Sequence, residues 1–334
     1  MPDFTLERMP KSLQEQFRFI AAETAVPVEG DLEADAIYHG DARKLIHQIS
    51  AGSIALSIWS PPYFVGKSYE ASWSYDEWES LLREVIEAHW HVIAPGGFLA
   101  INIADILCFQ DPEMPRVSAE THSARRSPVT REAVLHAMEQ HPEMNRHQIA
   151  ALLGCSEQTV DRRLNGNNVR GGKYEPQTRV KIVGGLVEEW ASAAGFFPYD
   201  RRVWVKDPCW ANSRWASVSY RSVDEFEYVY IFWKPGVTKV DRARLTSEEW
   251  RDWGSRGVWT FPSVRQNDTH EAMFPLELPT RLIRLLSEPG DTILDCFVGS
   301  GTTAVAAARL ERHYVGMDID ERAVVTARQR LATG

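Results

Sequence analysis

Cysteine is scarce in this 334-residue chain, and the four present do not cluster. Cys108, Cys155, Cys209 and Cys296 form no CxxC pair and no Cys/His group. That excludes a zinc finger or a disulfide framework and suits a reducing cytoplasm, the expected location. The ten histidines are dispersed as well, so no metal site is expected. Long apolar runs are missing: nothing approaches the roughly 20 residues of a membrane span. The start, MPDFTLERMPKSLQEQF, is too polar for a secretory signal. A global excess of positive charge is absent too, with 37 Lys/Arg against 46 Asp/Glu and a net charge of −9. There is no internal repeat, no low-complexity tract and no Gly-Lys-Ser/Thr phosphate loop, which disfavours ATP.

Charge is unevenly spread. Residues 116–181 carry 11 Lys/Arg against 7 Asp/Glu, a basic segment in an acidic chain. By charge alone this is either a DNA-facing surface or a solvated one.

Apolar runs alternate with amphipathic stretches. AIYHGD (36–41), SIALSIWS (53–60) and FLAINIAD (98–105) read as strands. Between the last two, Trp78, Leu81, Leu82, Val85, Ile86 and Trp90 fall at helical spacing, with Asp76 and Glu79 placed as a capping pair and Trp78 and Trp90 as core. The rhythm stops near 110 and resumes near 180. A helix over VKIVGGLVEEWASAAGF leads to strands 201–206 and 227–234, one of them antiparallel because no long helix separates them. Helix 275–288, strand 292–297, helix 302–311, strand 313–319 and a closing helix follow. Such alternation predicts an α/β fold with a doubly wound, mostly parallel sheet. The expected organisation is an N-terminal arm at 1–30, with a short helix near 11–23, and a first half-domain at 31–109. A helical insertion at 110–178, a continuation at 179–234, a polar Trp-dotted region at 235–272 and a second half-domain at 273–334 complete it.

Two segments carry chemistry. In LDCFVGSGTTAVAAA a strand runs through a loop with Gly299 and Gly301 into a helix. Glycine permits a tight turn and close approach of a ligand, and the helix start offers unpaired N–H groups. Asp318, ending the next strand 23 residues after Asp295, is placed to bond ribose hydroxyls. Together these imply a nucleoside-bearing cofactor. The other segment, Ser60-Pro61-Pro62-Tyr63, ends a strand at a rigid corner. Its carbonyl groups and the Ser60 hydroxyl can accept protons from an –NH₂ group, and Tyr63 offers a face for a stacked base. Taken alone, the corner reads as a simple rigid turn, and its pairing with the cofactor segment reverses that reading.

SPPY followed much later by FPLELPTRLI…LDCFVGSGTT resembles the beta-class amino DNA methyltransferases, over about 34–105 and 180–330. The resemblance implies a circularly permuted class I S-adenosylmethionine-dependent methyltransferase fold, Rossmann-like, with S-adenosyl-L-methionine as cofactor. It assigns Asp41 to the adenine side. The cofactor loop is assigned Asp295, Phe297, Gly299, Ser300 and Gly301, the methionine region Phe274, Pro275, Thr302 and Thr303, and the ribose Asp318. SPPY is similar to the family's N4-cytosine motif, whereas adenine-N6 enzymes mostly carry Asp or Asn in place of Ser60. Cytosine N4 in a flipped base is therefore the expected target, with adenine N6 the alternative. Target recognition is assigned to 235–272.

Within the insertion, Thr130 caps a first helix, Asn145 and Gln148 form a capping box for a second, Gly154 fits a turn, and Ser156 caps a third. This resembles a helix-turn-helix, whose second helix enters the major groove. That helix would present Gln158, Thr159, Asp161, Arg162 and Arg163, followed by Arg170 and Lys173 in a basic loop. The expected DNA contacts are Gln158, Thr159, Arg162, Arg163, Arg170 and Lys173. Double-stranded DNA is the expected partner, with no membrane; a second copy of the chain and a companion restriction endonuclease are the protein partners left open. The reading from a different class is a DNA-binding regulator on an inactive methyltransferase scaffold. Ser60, Gly299 and Asp318 would be dispensable there, and all are present.

Overall fold

A nearly unbroken apolar segment, Ile54–Trp59, has to be buried on both faces, and it forms a central strand, β2. The computed structural model describes residues 32–64, 74–111, 113–114, 127–165, 177–209, 222–239, 241–264 and 275–333. The chain divides into two compact units, one of 110–179 and the other of the remaining described residues.

The larger unit is built on an eight-stranded sheet. In chain order its strands are β1 (Ala36–His39), β2, β3 (Ile93–Ile103), β6 (Phe197–Cys209), β7 (Asp224–Trp233), β8 (Val258–Thr260), β9 (Thr292–Asp295) and β10 (His313–Asp318). Across the sheet they run β1-β10-β9-β2-β3-β7-β6-β8. Only β7 opposes the rest, pairing antiparallel with both β3 and β6. That is the reversal expected from the short link between the strands at 201–206 and 227–234. The ninth strand of the chain is central and hydrogen-bonded to the second, with Ser57 opposite Leu294. This is the mark of a permuted order.

Helices cover both faces. α2 (Tyr75–Val92) buries Trp78, Leu82, Val85, Ile86 and Val92 completely, at about 2 kcal/mol each. Its capping box is Ser74 with Glu77, two residues ahead of the expected Asp76 and Glu79. Trp90 also departs from expectation. It lies 36% exposed, edge-on to Phe196 and beneath the Lys234 ammonium, because it sits off the apolar stripe that faces the sheet. On the same face lie the short helix α1 (Ala42–Leu45) and α6 (Gly184–Ala194). The opposite face carries α7 (Glu277–Leu286) and α8 (Thr302–Arg309), and α9 (Glu321–Thr333) packs beside α8 against β1 and β10. The region after β7 adds β8 to the sheet edge and buries Trp259. Trp253 is half-buried beside it, and Trp250 is exposed.

The smaller unit holds three helices, α3 (Arg131–Gln140), α4 (Arg146–Leu152) and α5 (Glu157–Asn165). Val134, Ala137, Ile149, Ala150 and Val160 form its core. The expected caps are all made: Thr130 accepts from Ala133 N–H, Asn145 and Gln148 close a reciprocal box, and Ser156 accepts from Thr159 N–H. Gly154 turns the chain between α4 and α5 at φ +62°. A two-stranded ribbon, β4 (Ile106–Asp111) with β5 (Gln177–Lys181), forms where the chain departs and returns.

Candidate active site

Four neighbouring strands deliver the expected residues to one edge of the sheet. β1, β10, β9 and β2 lie side by side, and their carboxyl ends lead to Asp41, Asp318, Asp295 and Ser60. At about 4.8 Å per strand the row spans about 14 Å, the reach of a nucleoside with an amino-acid tail. Between β9 and α8 the chain turns through Gly299 and Gly301, at φ +51° and +85°. The loop is tied across to the next strand by Gly299 N–H, which donates to Asp318 Oδ2 at 2.9 Å. Asp318 Oδ1 accepts from Asp320 N–H at 2.9 Å. Asp41 caps α1 and takes the Arg43 guanidinium at 2.5 Å. Pro275 lies at the start of the turn into α7, its carbonyl accepting from Leu278 N–H at 3.1 Å.

The Pro-Pro corner is wired into the sheet beneath it. Ser60 Oγ lies 2.5 Å from the Tyr63 hydroxyl and 3.0 Å from the Asn102 carbonyl oxygen. Tyr63 donates to Glu227 Oε2 at 2.7 Å. The Asn102 amide donates to Glu227 at 2.6 Å, to Tyr63 at 2.9 Å and to Ser60 at 3.3 Å. The expectation of open carbonyls at this corner needs one correction. The Pro62 carbonyl already accepts the Trp78 indole N–H at 2.6 Å, because α2 buries that indole against the corner. Pro61 is buried.

Trp59 joins the two halves of the site. Its indole N–H donates to His89 Nε2 at 3.2 Å, and its ring meets Phe297 of the cofactor loop edge-on at 5.4 Å. Burial pulls the His89 pKa down to about 4, so the ring is neutral, with Nδ1 facing the Val85 carbonyl and Nε2 left to accept.

Residues 54–329 match the N6/N4 family of DNA methylases. The chain belongs to this family. The methylase is 53% identical to the type II methyltransferase M.BglI of Bacillus subtilis over 302 residues, 90% of this chain and 87% of that protein. Among solved structures, a DNA modification methylase of Thermus thermophilus, complexed with S-adenosyl-L-methionine, superimposes with a TM-score of 0.58. That pair is 23% identical and covers 89% of this chain and 93% of that one. The PvuII DNA methyltransferase (cytosine-N4-specific) gives 0.58 at 17% identity, covering 90% and 87%. Both share the class I methyltransferase fold.

Asp295 of the methylase is fully buried, with Oδ1 accepting Phe297 N–H at 3.1 Å. Burial raises its pKa to about 7, against the opposing pull of Thr303 and the Phe297 amide and with help from the Asp318 charge. An acid raised on folding stabilises the fold while protonated and loses that contribution as pH rises through its folded value. A shift from near 4 to about 7 corresponds to roughly 4 kcal/mol. The ligand-free methylase should therefore melt lower at about pH 7.5 than at about pH 5, and Asp295→Asn should flatten this dependence. A melting curve for Asp295→Asn as steep in pH as that of the parent overturns this assignment. Cys296 beside it is fully buried, and that burial pushes its thiol pKa well above the ordinary range.

Sequence reasoning missed several partners. Arg330, on α9, donates to the Ser300 carbonyl, the Ser300 hydroxyl and the Thr302 hydroxyl at 2.7, 2.8 and 3.2 Å. Ser300 and Thr302 thus each accept from Arg330, which braces the loop from behind and leaves their hydroxyl protons free to donate. Thr303 is buried beneath it. Asn102 and Glu227 were legible as polar residues at buried positions: Glu227 shares strand parity with buried Val229 and Ile231. Nothing in the sequence joined them to Ser60.

In the smaller unit Gln158 and Arg162 are exposed one helical turn apart on α5. Thr159 is half-buried with its hydroxyl 3.0 Å from that of Ser156. Arg163 is exposed, but donates to the carbonyls of Val129 and Ser127, and Asp161 pairs with Arg146 at 2.9 Å. Phe274, Arg170 and Lys173 lie outside the described residues, as does the N-terminal arm. Among the described residues no helix is long and apolar enough to cross a membrane.

Proposed function

We propose that this DNA methylase transfers a methyl group to the exocyclic N4 of cytosine in a base flipped out of duplex DNA. S-adenosyl-L-methionine is the methyl donor, and when bound it supplies an electrophilic methyl on a positively charged sulfur. The residues present fit it: a row of carboxyl groups at the ends of three adjacent strands suits ribose hydroxyls and cationic groups, and the glycine loop admits close approach. Asp318 would hold the ribose, Asp41 the adenine side, and the loop from Asp295 to Thr303, with Phe274 and Pro275, the remainder.

The observation that carries the reading is the pairing of β2 with β9, which sets the Ser60 corner beside the glycine loop. An exocyclic amine conjugated to its ring is a weak nucleophile. Ser60 accepts a hydrogen bond from that amine, drawing electron density toward nitrogen and aiming its lone pair at the methyl group. Positive charge grows on nitrogen in the transition state, so fixed acceptors favour it over the ground state. Tyr63 flanks the base. Serine at position 60, rather than Asp or Asn, favours cytosine over adenine.

The test is nucleoside analysis of duplex DNA methylated by the protein with labelled donor. N4-methylcytosine is the expected product. N6-methyladenine would overturn the choice of base, and no labelled nucleoside would favour the regulator on a methyltransferase scaffold.

Recognition of the duplex is assigned to α5, with Gln158 and Arg162 reading base edges and Thr159 and Arg163 at its flanks. Arg170 and Lys173 belong to the same surface by charge. Arg162→Ala should weaken binding to the cognate duplex about tenfold. Gel-shift titration on cognate and scrambled duplexes checks this, and equal affinity to the parent on both would remove α5 from the interface. A restriction endonuclease acting at the same site is the partner this reading implies, since the relative M.BglI is named a type II methyltransferase.

A further inference from the structure

A buried charged cluster lies behind the catalytic corner, and stability does not explain it. Glu227 on β7 is 7% exposed and receives hydrogen bonds from Tyr63, Asn102 and Lys206. Lys206 on β6 reaches Glu227 Oε1 at 2.6 Å and Asp224 Oδ2 at 3.2 Å. Buried ion pairs of this kind are often no more stable than apolar residues of the same volume. This one abuts Tyr63 of the SPPY corner.

The proton positions follow from the distances. Two hydroxyl oxygens 2.5 Å apart, as in Ser60 and Tyr63, need a proton between them. The Tyr63 proton points to Glu227 Oε2, which as a carboxylate has none to offer. The shared proton is therefore that of Ser60. Turning it to the Asn102 carbonyl, 3.0 Å away, would leave the short pair with no proton. The Asn102 amide is fixed as well, since reversing it would set Oδ1 against the Glu227 carboxylate. Lys206 keeps the far end of the chain ionised: burial works against its ammonium, but Glu227 and Asp224 outweigh this and hold its pKa above the ordinary lysine value.

We propose that Glu227 is a positioning residue and proton acceptor that acts through Tyr63. It turns the Ser60 hydroxyl proton inward, so that a Ser60 lone pair faces the base amine, and it takes the proton that the amine sheds. This rests on the reading of Ser60 as the acceptor for that amine. The step balances within the chain. The base nitrogen bonds the methyl carbon as the carbon–sulfur bond breaks, its electron pair staying on sulfur. The positively charged nitrogen then gives a proton to Ser60 Oγ, Ser60 passes its own to Tyr63, and Tyr63 passes its own to Glu227. A neutral methylated base and a protonated Glu227 result, and the proton later returns to solvent.

Glu227→Gln tests the polarity of the relay. The new amide can donate toward Tyr63, so that Tyr63 donates to Ser60 and Ser60 to the Asn102 carbonyl at 3.0 Å, and no carboxylate is left to take the proton that the amine sheds. Tyr63→Phe removes one oxygen and cuts the chain while keeping the ring. The expected result for each is single-turnover methyl transfer slowed about 100-fold, with the dissociation constants for donor and duplex within about threefold of the parent. The double variant should be no slower than the worse single one, because both break the same chain. Either single variant within about threefold of the parent rate, or a double variant whose losses multiply, overturns the proposal. Should Glu227→Gln lose donor binding through misfolding, Tyr63→Phe decides alone. The parent is assayed alongside, so a parent that yields no methylated base fails the Ser60 reading itself, whereas a productive parent with unimpaired variants fails only the relay.

Discussion

Ser60→Ala is expected to slow single-turnover methyl transfer about 10²- to 10³-fold while donor affinity stays within about twofold. The size follows from the loss of a preorganised polar partner where charge develops in the transition state. Donor affinity is expected to be spared because the acidic row proposed to hold the donor, from Asp41 through Asp318 to Asp295, lies on the three strands beyond β2. The fold is spared too. Without the serine hydroxyl, Tyr63 keeps Glu227 and Asn102 as partners, and Trp78 still holds the Pro62 carbonyl. Rapid-quench kinetics with excess enzyme isolates the chemical step, and calorimetric titration with donor supplies the affinity. An unchanged rate would remove Ser60 from the reaction.

Gly301→Ala is the second large effect, and it falls on the other half of the site. Gly301 begins α8 at φ +85°, a conformation that costs a side-chain-bearing residue about 1–2 kcal/mol. A Cβ there would meet Ala327 Cβ at 2.9 Å and Ala327 Cα at 3.0 Å, so α9 has to move. Overpacking of this kind adds about 1–3 kcal/mol. Moving α9 also disturbs Arg330, which braces Ser300 and Thr302. The expected outcome is a loss of about 2–5 kcal/mol in stability and a donor affinity weaker by tenfold or more. Denaturant titration and donor binding check the two parts. A variant as stable as the parent, with parent affinity, would show that this turn tolerates a side chain and that the loop is not rigidly seated.

What was legible in the sequence was local. The caps at Thr130, Asn145 and Ser156 were readable because a cap needs only its own residue and the next three. The strand–loop–helix around Gly299 and Gly301 and the Pro-Pro corner were readable for the same reason. Even there short range could mislead: Asp76 and Glu79 carry side chains that can cap, yet the helix is capped earlier, at Ser74. Trp90 had an aromatic's propensity for the core but lay off the buried stripe of α2.

The sequence by itself determined the alternating α/β architecture and the two motifs, because hydrophobic period, turn chemistry and capping act over a few residues; the permuted order followed from the family resemblance those motifs carry. Only the tertiary structure decided that β2 and β9 are neighbours, that Glu227 and Lys206 end up behind Tyr63, and that Arg330 donates to the hydroxyls of Ser300 and Thr302. Those contacts join residues from 21 to 237 positions apart. They follow from strand order and from the packing of α9 on α8, neither of which is encoded in any stretch short enough to read.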